Sequence, residues 1–446
     1  MHSPNKGNTI SRRQFLATTA LAAAAGPGLL TGCAAATKPR PAPSGRISMA
    51  MIGCGWQGGS NMSGFLNHPD CQVVAVCDLD QKHLQEAINT VNAHYKNQDC
   101  KGYHDYREML ARPDIDAVMI ATPDHWHGLT AVAAAQQGKD IYGEKPLART
   151  IAEQQAIVRA VQKNQRIWQT GSWQRSEQHF QYAAEIVRNG LIGKIQRVEV
   201  GLPSGHSDFA KTRDKMRITQ PPPELDYDFW SGPSLKLPYI EARVHKNWRW
   251  NYNTGGGQLL DWIGHHCDIA HWGMDCDRSG PDEIEGYGEF PPKDAVWNTC
   301  TKYRLTARYP NDIEMIIAGG HADIRSGTKW IGTEGWVWVD RGNSLEASNK
   351  QWEESRRLPD SLRKVKLYES RDHIGNFLDC VKSRKPTITP VETAHHSAIP
   401  GHLGLIAMLV GRKIRWSVQK EQILGDAAAS KLLTRPYRHP WKLAGV

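Results

Sequence analysis

A glycine-rich segment between an apolar strand and a helix constrains the fold of this chain more than any other feature. The predicted strand at residues 47–52 runs into the sequence G-C-G-W-Q-G at residues 53–58, and a helix follows. The next predicted strand, residues 73–77, ends at Asp78, 20 positions after Gly58. In a βαβ unit such glycines permit a tight turn against a pyrophosphate, and the acidic residue binds a ribose. The segment predicts a dinucleotide-binding Rossmann unit; a glycine-rich turn without a ligand is the alternative.

The same segment predicts which dinucleotide binds and where. A carboxylate at Asp78 repels a 2′-phosphate, so NAD is favoured over NADP as the cofactor. The N-terminus of the helix that follows the glycines attracts phosphate charge. We therefore expect the cofactor to contact the residues of the turn and this carboxylate: Gly53, Gly55, Trp56, Gln57 and Asp78.

Apolar strands alternate with helices over residues 47–171. Further strands are predicted at 117–121, 140–143 and 167–171, and helices at 79–94, 128–138 and 150–164. Strands that are nearly all apolar argue for a parallel sheet covered on both faces. Residues 47–171 are therefore predicted to form an α/β domain, a Rossmann fold with a doubly wound parallel sheet.

The pattern changes after about residue 172. Alternating apolar residues over 301–348 predict an antiparallel sheet with one face solvated or partnered, and helices are predicted at 371–383 and 392–410. The proline and charged residues in the segment 204–243 predict a long loop on the protein surface. We expect residues 172–446 to form a C-terminal α+β domain with an open, mostly antiparallel sheet.

The first 33 residues have the pattern of an export signal. The sequence S-R-R-Q-F-L at residues 11–16 precedes an Ala- and Leu-rich run that is too short to span a bilayer as a mature helix. This resembles a twin-arginine signal, and residues 30–33 resemble a lipobox in which Cys33 is lipidated. We expect the twin-arginine machinery to export the protein to the periplasmic face, where Cys33 anchors it to a membrane through the proline-containing tether at 34–46. A frayed Ala-rich helix on a cytosolic enzyme is the alternative.

The composition indicates a globular protein and argues against a nucleic-acid-binding protein and against a zinc site of the CxxC type. The chain has 446 residues, of which 40% are hydrophobic, enough for real cores in two or three domains. The formal net charge of +9 is modest and dispersed, so we expect no nucleic-acid partner. None of the nine cysteines forms a CxxC pair, so the chain has no zinc-ligand spacing of that kind.

Polar residues follow two successive predicted strands. The sequence T-P-D-H-W-H at residues 122–127 follows one strand, and Glu144 and Lys145 follow the next. Both strand ends lie at the carboxyl edge, where an open α/β sheet holds its ligand. Beside a nicotinamide, an ammonium can donate to a carbinol oxygen and stabilise charge as a proton leaves. Without the glycine turn, a solvated surface ion pair would be an equally good interpretation of the Glu-Lys pair.

A second candidate site lies in the sequence G-G-G-Q-L-L-D-W-I-G-H-H-C-D at residues 255–268. Asp261 and His265 are four residues apart, so on a helix both point from one face. A histidine can accept the hydroxyl proton during hydride removal. Two other interpretations stay open: Asp261 caps the helix and His265 is a buried structural histidine, or the pair is a partial metal-ligand set. Because no third and fourth ligands are evident, we predict no metal site.

Together the glycine turn, Asp78, the Glu-Lys-Pro motif at 144–146 and the segment 255–268 resemble the Gfo/Idh/MocA family, which includes glucose-fructose oxidoreductase and inositol dehydrogenase. The resemblance covers about residues 47–420. It implies a nicotinamide site between the two domains and an open C-terminal sheet that forms a homo-oligomer. It places Lys145, Asp261 and His265 at the catalytic positions, and Thr122, His127, Glu144 and Lys145 at cofactor contacts. Several short segments look closest to the exported branch of the family.

The substrate is expected to be a sugar, a glycoside or a cyclitol. Tryptophans cluster between residues 230 and 272, where aromatic rings can pack on sugar rings, although most are expected to be core residues. Trp248, Arg249 and His266 are the predicted substrate contacts. The expected activity is hydride transfer from a ring carbinol to tightly bound NAD, either as net oxidation or within a redox-neutral cycle. A glycosidase or epimerase that uses transient oxidation is the alternative, as is a non-catalytic binding lipoprotein; the family's glycosidases lack the Lys of Glu-Lys-Pro, so Lys145 favours alcohol oxidation.

Overall fold

The computed structural model describes residues 45–443 of the chain. The predicted signal with its lipobox, residues 1–33, and nearly all of the predicted tether lie outside the described residues. Within 45–443, no helix is both long and apolar enough to cross a membrane. Export and lipidation of Cys33 therefore stay predictions.

Six parallel strands form the first sheet, in the order β3-β2-β1-β4-β5-β6. The strands are β1 (Ile47–Ile52), β2 (Cys71–Cys77), β3 (Lys101–Tyr103), β4 (Ala117–Ile120), β5 (Asp140–Gly143) and β6 (Trp168–Thr170). The helices are α1 (Trp56–Asn67), α2 (Gln81–Tyr95), α3 (Tyr106–Leu110), α4 (Asp124–Gln136) and α5 (Ile151–Lys163). The strand order reverses between β1 and β4, and the crevice at such a switch point is where an open α/β sheet binds its ligand. The predicted doubly wound parallel sheet is confirmed.

Local sequence explains where these elements begin. Asp80 caps α2 by accepting hydrogen bonds from the N–H groups of Lys82 and His83, and the Thr150 hydroxyl caps α5 by accepting from the N–H of Glu153. The sequence pattern does not predict β3. This three-residue edge strand has no apolar run and pairs only with β2, so periodicity carries no signal for it.

Nine strands form the second sheet, in the order β13-β12-β11-β7-β10-β9-β8-β14-β15. They are β7 (Ile195–Leu202), β8 (Glu283–Glu289), β9 (Lys302–Tyr309), β10 (Ile313–Gly319), β11 (Gly327–Gly332), β12 (Trp336–Asp340), β13 (Ser344–Ala347), β14 (Ile414–Ser417) and β15 (Gln422–Ile423). Only β7 and β10 pair in parallel; the other neighbours are antiparallel. The sheet is mixed and mostly antiparallel, which confirms the predicted α/β fold class with its C-terminal α+β domain.

Three helices, α6, α8 and α11, cover one face of the second sheet. The helices of this part of the chain are α6 (Gln178–Arg188), α7 (Tyr227–Ser231), α8 (Gly257–Met274), α9 (Lys350–Ser355), α10 (His373–Ser383), α11 (Val391–Val410) and α12 (Ala427–Ser430). Phe180 of α6, Ile263 of α8 and Leu403 of α11 share one buried core with Leu305 of β9. This packing holds α8, which carries the second candidate site, between the sheet and the N-terminal domain.

The segment 204–243, predicted as a surface loop, instead buries several aromatic side chains. Part of it, residues 222–231, is called here the strap. Trp230 of the strap is buried, and the N–H of Gln81 donates to the carbonyl of Glu224 at 2.9 Å. The prediction was wrong for this part because the aromatic residues, spaced among prolines and charges, pack on one another and on Leu79 and Trp126 of the N-terminal domain.

The C-terminal tail also lies against the N-terminal domain. Arg435 Nε and the Tyr437 hydroxyl both donate to Oε1 of the buried Glu153 on α5, at 2.8 and 2.5 Å. The ring of Trp441 lies 4.8 Å from that of Trp126 on α4. Contacts from the end of the chain thus fix the two helices that flank the fourth and fifth strands.

Candidate active site

A cleft of about 500 Å³ opens at the carboxyl edge of the first sheet and is bordered by α8. One end, the dinucleotide end, is lined by the turn after β1 and by Asp78. The other, the substrate end, is lined by Lys145, Asp261 and His265. The structure thus brings the two candidate sites of the sequence into one cleft.

Two glycines of the turn have no room for a side chain. Gly53 has a φ of +84°, and a Cβ there would lie 2.7 Å from the carbonyl oxygen of Ala121. A Cβ on Gly58 would lie 1.9 Å from the carbonyl oxygen of Gly53. Gly55 precedes α1, which has no side-chain cap, so the first N–H groups of this helix stay available to an anion. Gly53, Gly55, Trp56 and Gln57 all line the cleft.

Asp78 is fixed by the backbone around it. Its Oδ2 accepts from the N–H of Cys54 at 2.7 Å, and its Oδ1 accepts from the N–H of Asp80 at 2.9 Å. Burial raises the pKa of Asp78, and the nearby His83 opposes that rise. The carboxylate lines the dinucleotide end in a fixed orientation, as recognition of ribose hydroxyls requires.

Thr122 and His127 occupy different places. Thr122 lines the cleft, and its buried Oγ1 has no hydrogen-bond partner within the described chain. His127 lies behind the cleft, where Nδ1 is 2.8 Å from the carbonyl oxygen of Pro146 and Nε2 is 2.8 Å from that of Thr122. With both ring nitrogens against carbonyls, His127 bridges the segments that follow β4 and β5 and has no polar atom left for a cofactor.

Glu144 lines the cleft and is held by neighbouring donors. Its Oε1 accepts from Asn61 Nδ2 at 2.9 Å and from Gln57 Nε2 at 3.4 Å, and its Oε2 accepts from the N–H of Lys145 at 3.2 Å. A Cβ on Gly171 would lie 2.6 Å from Oε1, so a larger residue there would displace this carboxylate. Burial raises the pKa of Glu144.

Lys145, Asp261 and Arg249 form one ion cluster at the substrate end. Lys145 Nζ donates to Asp261 at two atoms, the carbonyl oxygen at 2.9 Å and Oδ1 at 3.1 Å. Arg249 Nε donates to the same Oδ1 at 3.0 Å. Burial alone would raise the pKa of Asp261, but the charges of Lys145 and Arg249 outweigh it and lower the pKa to about 2. Asp261 is therefore a fixed anion between two cations.

His265 lies one helical turn after Asp261. Its Nδ1 is buried and has no hydrogen-bond partner in the described part of the chain. Burial lowers the pKa of His265, and the charges of Lys145 and Arg341 lower it further. The imidazole is therefore neutral near pH 7, and one of its ring nitrogens carries a lone pair.

Two of the three predicted substrate contacts line the cleft. These are Trp248 and Arg249, whose guanidinium lies 4.4 Å from the Trp248 ring centroid. His266 does not reach the cleft: it is fully buried, with Nε2 3.5 Å from Asp340 Oδ1. Successive helix residues point about 100° apart, so His266 faces away where His265 faces the cleft.

Two further charged residues line the substrate end without having been predicted as site residues. Asp124, the first residue of α4, is buried, and its Oδ1 has no partner among residues 45–443. Burial, together with the charge of Asp261, raises the pKa of Asp124 to about 7. Arg341 follows β12. The position of Asp124 directly after a strand was a usable signal, as for Lys145, whereas no local pattern marks Arg341.

Potential metal ligands meet at two places in the described residues: Asp80 with His83 and His245, and His395 with His396 and Glu421. Neither group includes Asp261 or His265, the partial ligand pair suggested by spacing. The carboxylate of Asp261 is instead taken by Lys145 and Arg249.

Two family profiles match nearly all of the described chain. "Oxidoreductase family, NAD-binding Rossmann fold" matches residues 47–172, and "Oxidoreductase family, C-terminal alpha/beta domain" matches residues 177–443. The chain belongs to the Gfo/Idh/MocA oxidoreductase family. The expected family is thus confirmed, while membership of its exported branch stays a prediction.

Curated relatives of this Gfo/Idh/MocA member carry different activities in their names. A glycosyl hydrolase family 109 protein of Shewanella pealeana is 30% identical over 212 residues, 42% of this chain and 44% of the relative. An inositol 2-dehydrogenase of Salmonella typhimurium is 30% identical over 150 residues, 33% of this chain and 43% of the relative. The chain thus aligns with less than half the length of these relatives.

Solved structures show the same fold at low sequence identity. The WlbA dehydrogenase of Chromobacterium violaceum, solved with NADH and UDP-GlcNAcA, has a TM-score of 0.63 and 16% identity. The match covers 84% of this chain and 98% of that one.

NAD is the cofactor of this Gfo/Idh/MocA family member. The residues present fit it: the turn at Gly53 and Gly55 leaves the α1 N-terminus open to phosphate, and Asp78 is set to accept from ribose hydroxyls. The unpartnered Oγ1 of Thr122 offers one further polar contact in the same cleft.

Proposed function

We propose that this protein is an NAD-dependent dehydrogenase that oxidises a ring carbinol of a sugar, glycoside or cyclitol. The observation that carries the proposal is the meeting of Lys145, Asp261 and His265 in the cleft that also contains the glycine turn. Oxidation of a carbinol needs a donor to its oxygen and an acceptor for its proton, and these side chains provide both. Bound NAD supplies the hydride acceptor.

Lys145 is the donor to the substrate oxygen. The Lys145 ammonium has three N–H donors, and two of them donate to Asp261. The third is left for the carbinol oxygen and stabilises the charge that develops as its proton leaves. Asp261 holds the ammonium in place, and Arg249 holds Asp261 from the other side.

His265 is the proton acceptor. Burial and the neighbouring charges of Lys145 and Arg341 keep its imidazole neutral, so it can take the carbinol proton. The low pKa also means that the proton leaves this imidazole readily after the reaction. His266 has no role in this scheme because it lies outside the cleft.

The strap supports tight retention of the cofactor. Leu225, Phe229 and Trp230 of the strap line the dinucleotide end, and a backbone hydrogen bond joins Glu224 to Gln81 at the start of α2. A dinucleotide bound there would be enclosed from the side opposite the sheet and would exchange slowly. A captive cofactor suits a cycle in which the hydride returns to the substrate, so hydrolysis or epimerisation through transient oxidation is the second candidate function. The similarity to glycosyl hydrolase family 109 proteins favours it further.

Export and assembly complete the proposal. A twin-arginine signal at residues 11–16 would carry the folded protein with NAD already bound, and a lipid on Cys33 would keep it at the membrane. Outside the cytoplasm free NAD is scarce, which is a further reason to retain the cofactor. The second sheet would form the contacts of a homo-oligomer.

The test is turnover by the purified protein with only its own bound cofactor, offered a panel of sugars, glycosides and cyclitols. Dependence on added NAD with one NADH per product is the result expected of a plain dehydrogenase. Many turnovers per site without net NADH would favour the closed cycle. A bound cofactor that no compound reduces, with no product formed, would contradict both and support a non-catalytic binding protein.

A further inference from the structure

The substrate end contains an arginine that forms no salt bridge with a carboxylate of residues 45–443. Arg341 lines the cleft beside His265, and no carboxylate within the described residues lies within 4.0 Å of its guanidinium. Its Nε is buried without a hydrogen-bond partner. Burial lowers the pKa of Arg341, and the charges of Asp340, Glu177 and Asp261, none of which forms a salt bridge with it, oppose that shift without overcoming it.

Two tryptophans hold this guanidinium in place. Its carbon lies 4.3 Å from the ring centroid of Trp262 and 4.8 Å from that of Trp173. Both rings also line the cleft. Stacking on aromatic faces fixes the plane of an arginine fork without using its N–H donors, so those donors remain free for a ligand.

The other arginine of the substrate end shows the contrast. Arg249 is also stacked on aromatic rings, those of Trp248 and Trp56, but its Nε donates to Asp261. Arg249 and Lys145 share that single carboxylate, while Arg341 has none.

The remaining carboxylates do not balance the positive charge. Asp124 and Glu144 line the same end, and burial raises the pKa of each, that of Asp124 to about 7. Both are therefore poorer anions than ordinary surface carboxylates. Asp261, whose pKa is lowered, is therefore the main counter-charge in the cleft lining at this end for Lys145, Arg249 and Arg341. Asp340 and Glu177 act on Arg341 from outside that lining.

We propose that Arg341 forms an anion subsite and that the substrate is an acidic carbohydrate whose carboxylate, as in a hexuronate, pairs with this guanidinium. The inference rests on the proposed function, in which a carbohydrate binds beside Lys145 and His265. A planar carboxylate matches the arginine fork through two parallel hydrogen bonds. The two tryptophan rings that hold the fork also offer apolar faces to the sugar ring.

The experiment compares binding of D-glucuronate, D-glucose and D-glucose 6-sulfate to the full chain with its bound cofactor, by calorimetry, together with NADH formation from each. We expect glucuronate to bind about tenfold to a hundredfold more tightly than glucose, the range for a charge-assisted pair. Arg341→Gln should remove that preference, so that glucuronate binds no more tightly than glucose. Arg341→Lys, which retains the charge but not the fork, should restore part of it.

The matched control is Arg325→Gln. The Arg325 guanidinium also stacks on a tryptophan, Trp338, but it pairs with Glu346 at 2.8 Å and does not line the cleft. This variant should leave the preference for glucuronate unchanged, which separates the subsite from a general effect of losing an arginine.

The outcomes separate this inference from the proposed function. Glucuronate binding that depends on Arg341, with no redox chemistry on any compound, supports the subsite and contradicts the dehydrogenase. Equal binding of glucose and glucuronate, binding of neither, or a preference that survives Arg341→Gln overturns the subsite, whether or not NADH forms. Tighter binding of the 6-sulfate than of glucuronate overturns the assignment to a carboxylate.

Discussion

The two ends of the cleft are assembled in different ways. At the dinucleotide end, the glycine turn, Asp78 and Thr122 all follow strands of one parallel sheet, so its topology alone brings them together. At the substrate end, Lys145 follows a strand of the first sheet, Asp261 lies on α8, and Arg341 follows a strand of the second sheet. The first end depends on local sequence and the second on how two domains pack. Changes at the first should mainly alter cofactor binding, and changes at the second should mainly alter turnover.

The largest effect is expected at the substrate end. Lys145→Ala removes the proposed donor to the carbinol oxygen, and His265→Ala removes the proposed acceptor of the carbinol proton. Loss of such a group lowers the rate by about 10² to 10⁴. Neither side chain belongs to the turn that holds NAD, so the bound cofactor should remain. The measurement is turnover on a reactive carbohydrate together with NAD content per chain.

Lys329→Ala provides the control for these variants. Lys329 lies on β11 over the ring of Trp336, outside the cleft, and its loss should leave turnover unchanged. Near-normal turnover in either His265→Ala or Lys145→Ala would show that the role assigned to that residue is wrong. Loss of NAD along with turnover would show that the two ends are not separable.

Asp124 tests the electrostatics of the substrate end. It begins α4 of the N-terminal domain, and the charge of Asp261 on α8 acts on it. Its pKa is raised from 3.8 to about 7 in the folded protein. The fold therefore favours the protonated form, and this contribution is complete below pH 4 and is lost as the pH rises to about 7. The change corresponds to at most roughly 4 kcal/mol of unfolding free energy.

The variant Asp124→Asn cannot ionise, so its stability relative to the wild type should increase between pH 5 and pH 8. Denaturant titrations of both proteins at the two pH values measure the difference. The contribution of Asp261 to the unfolding free energy has the opposite pH dependence. Its pKa is lowered to about 2, so this contribution is present at neutral pH and is lost only as the pH falls below 4. A stability difference that does not change with pH would contradict the raised pKa of Asp124.

Neighbouring glycines of α1 test the dinucleotide end. A Cβ on Gly58 would lie 1.9 Å from the carbonyl oxygen of Gly53, whereas a Cβ on Gly59 would lie 3.5 Å from that of Cys54, an ordinary contact. Gly58→Ala should therefore destabilise the turn by about 1 to 3 kcal/mol and lower NAD content. Gly59→Ala should be neutral or stabilising by up to about 1 kcal/mol, since alanine favours a helix. Equal stability and NAD content in the two variants would contradict the close packing of this turn.

The sequence predicts the dinucleotide end of the cleft better than the substrate end. The strands that build the dinucleotide end are apolar runs followed by glycine or acid, and β1 and β5 have the predicted bounds. In the segment 204–243 the buried aromatic side chains pack on one another, on Val244 and Trp248, and on Leu79 of the N-terminal domain, contacts that no local periodicity reveals. Arg341 has no local signal for the same reason, since its place in the cleft is set by the register of the second sheet. His266 shows a third limit: spacing alone does not tell which of two adjacent histidines faces the cleft.

The smallest expected effect concerns the choice of cofactor. Asp78→Asn removes the charge that repels a 2′-phosphate while retaining an oxygen that can accept from the N–H of Cys54 or Asp80. The preference for NAD over NADP should fall by about 1 to 3 kcal/mol, which corresponds to a several-fold to a few hundredfold change in relative affinity. Asp116→Asn is the control, because Asp116 also accepts from a backbone N–H, that of Ser48, but lies at the opposite edge of the same sheet. Dissociation constants for both dinucleotides, with the identity of the cofactor released on denaturation, provide the measurement. Recovery of mainly NADP from the wild type, or an equal loss of preference in both variants, would show that the charge of Asp78 does not select the cofactor.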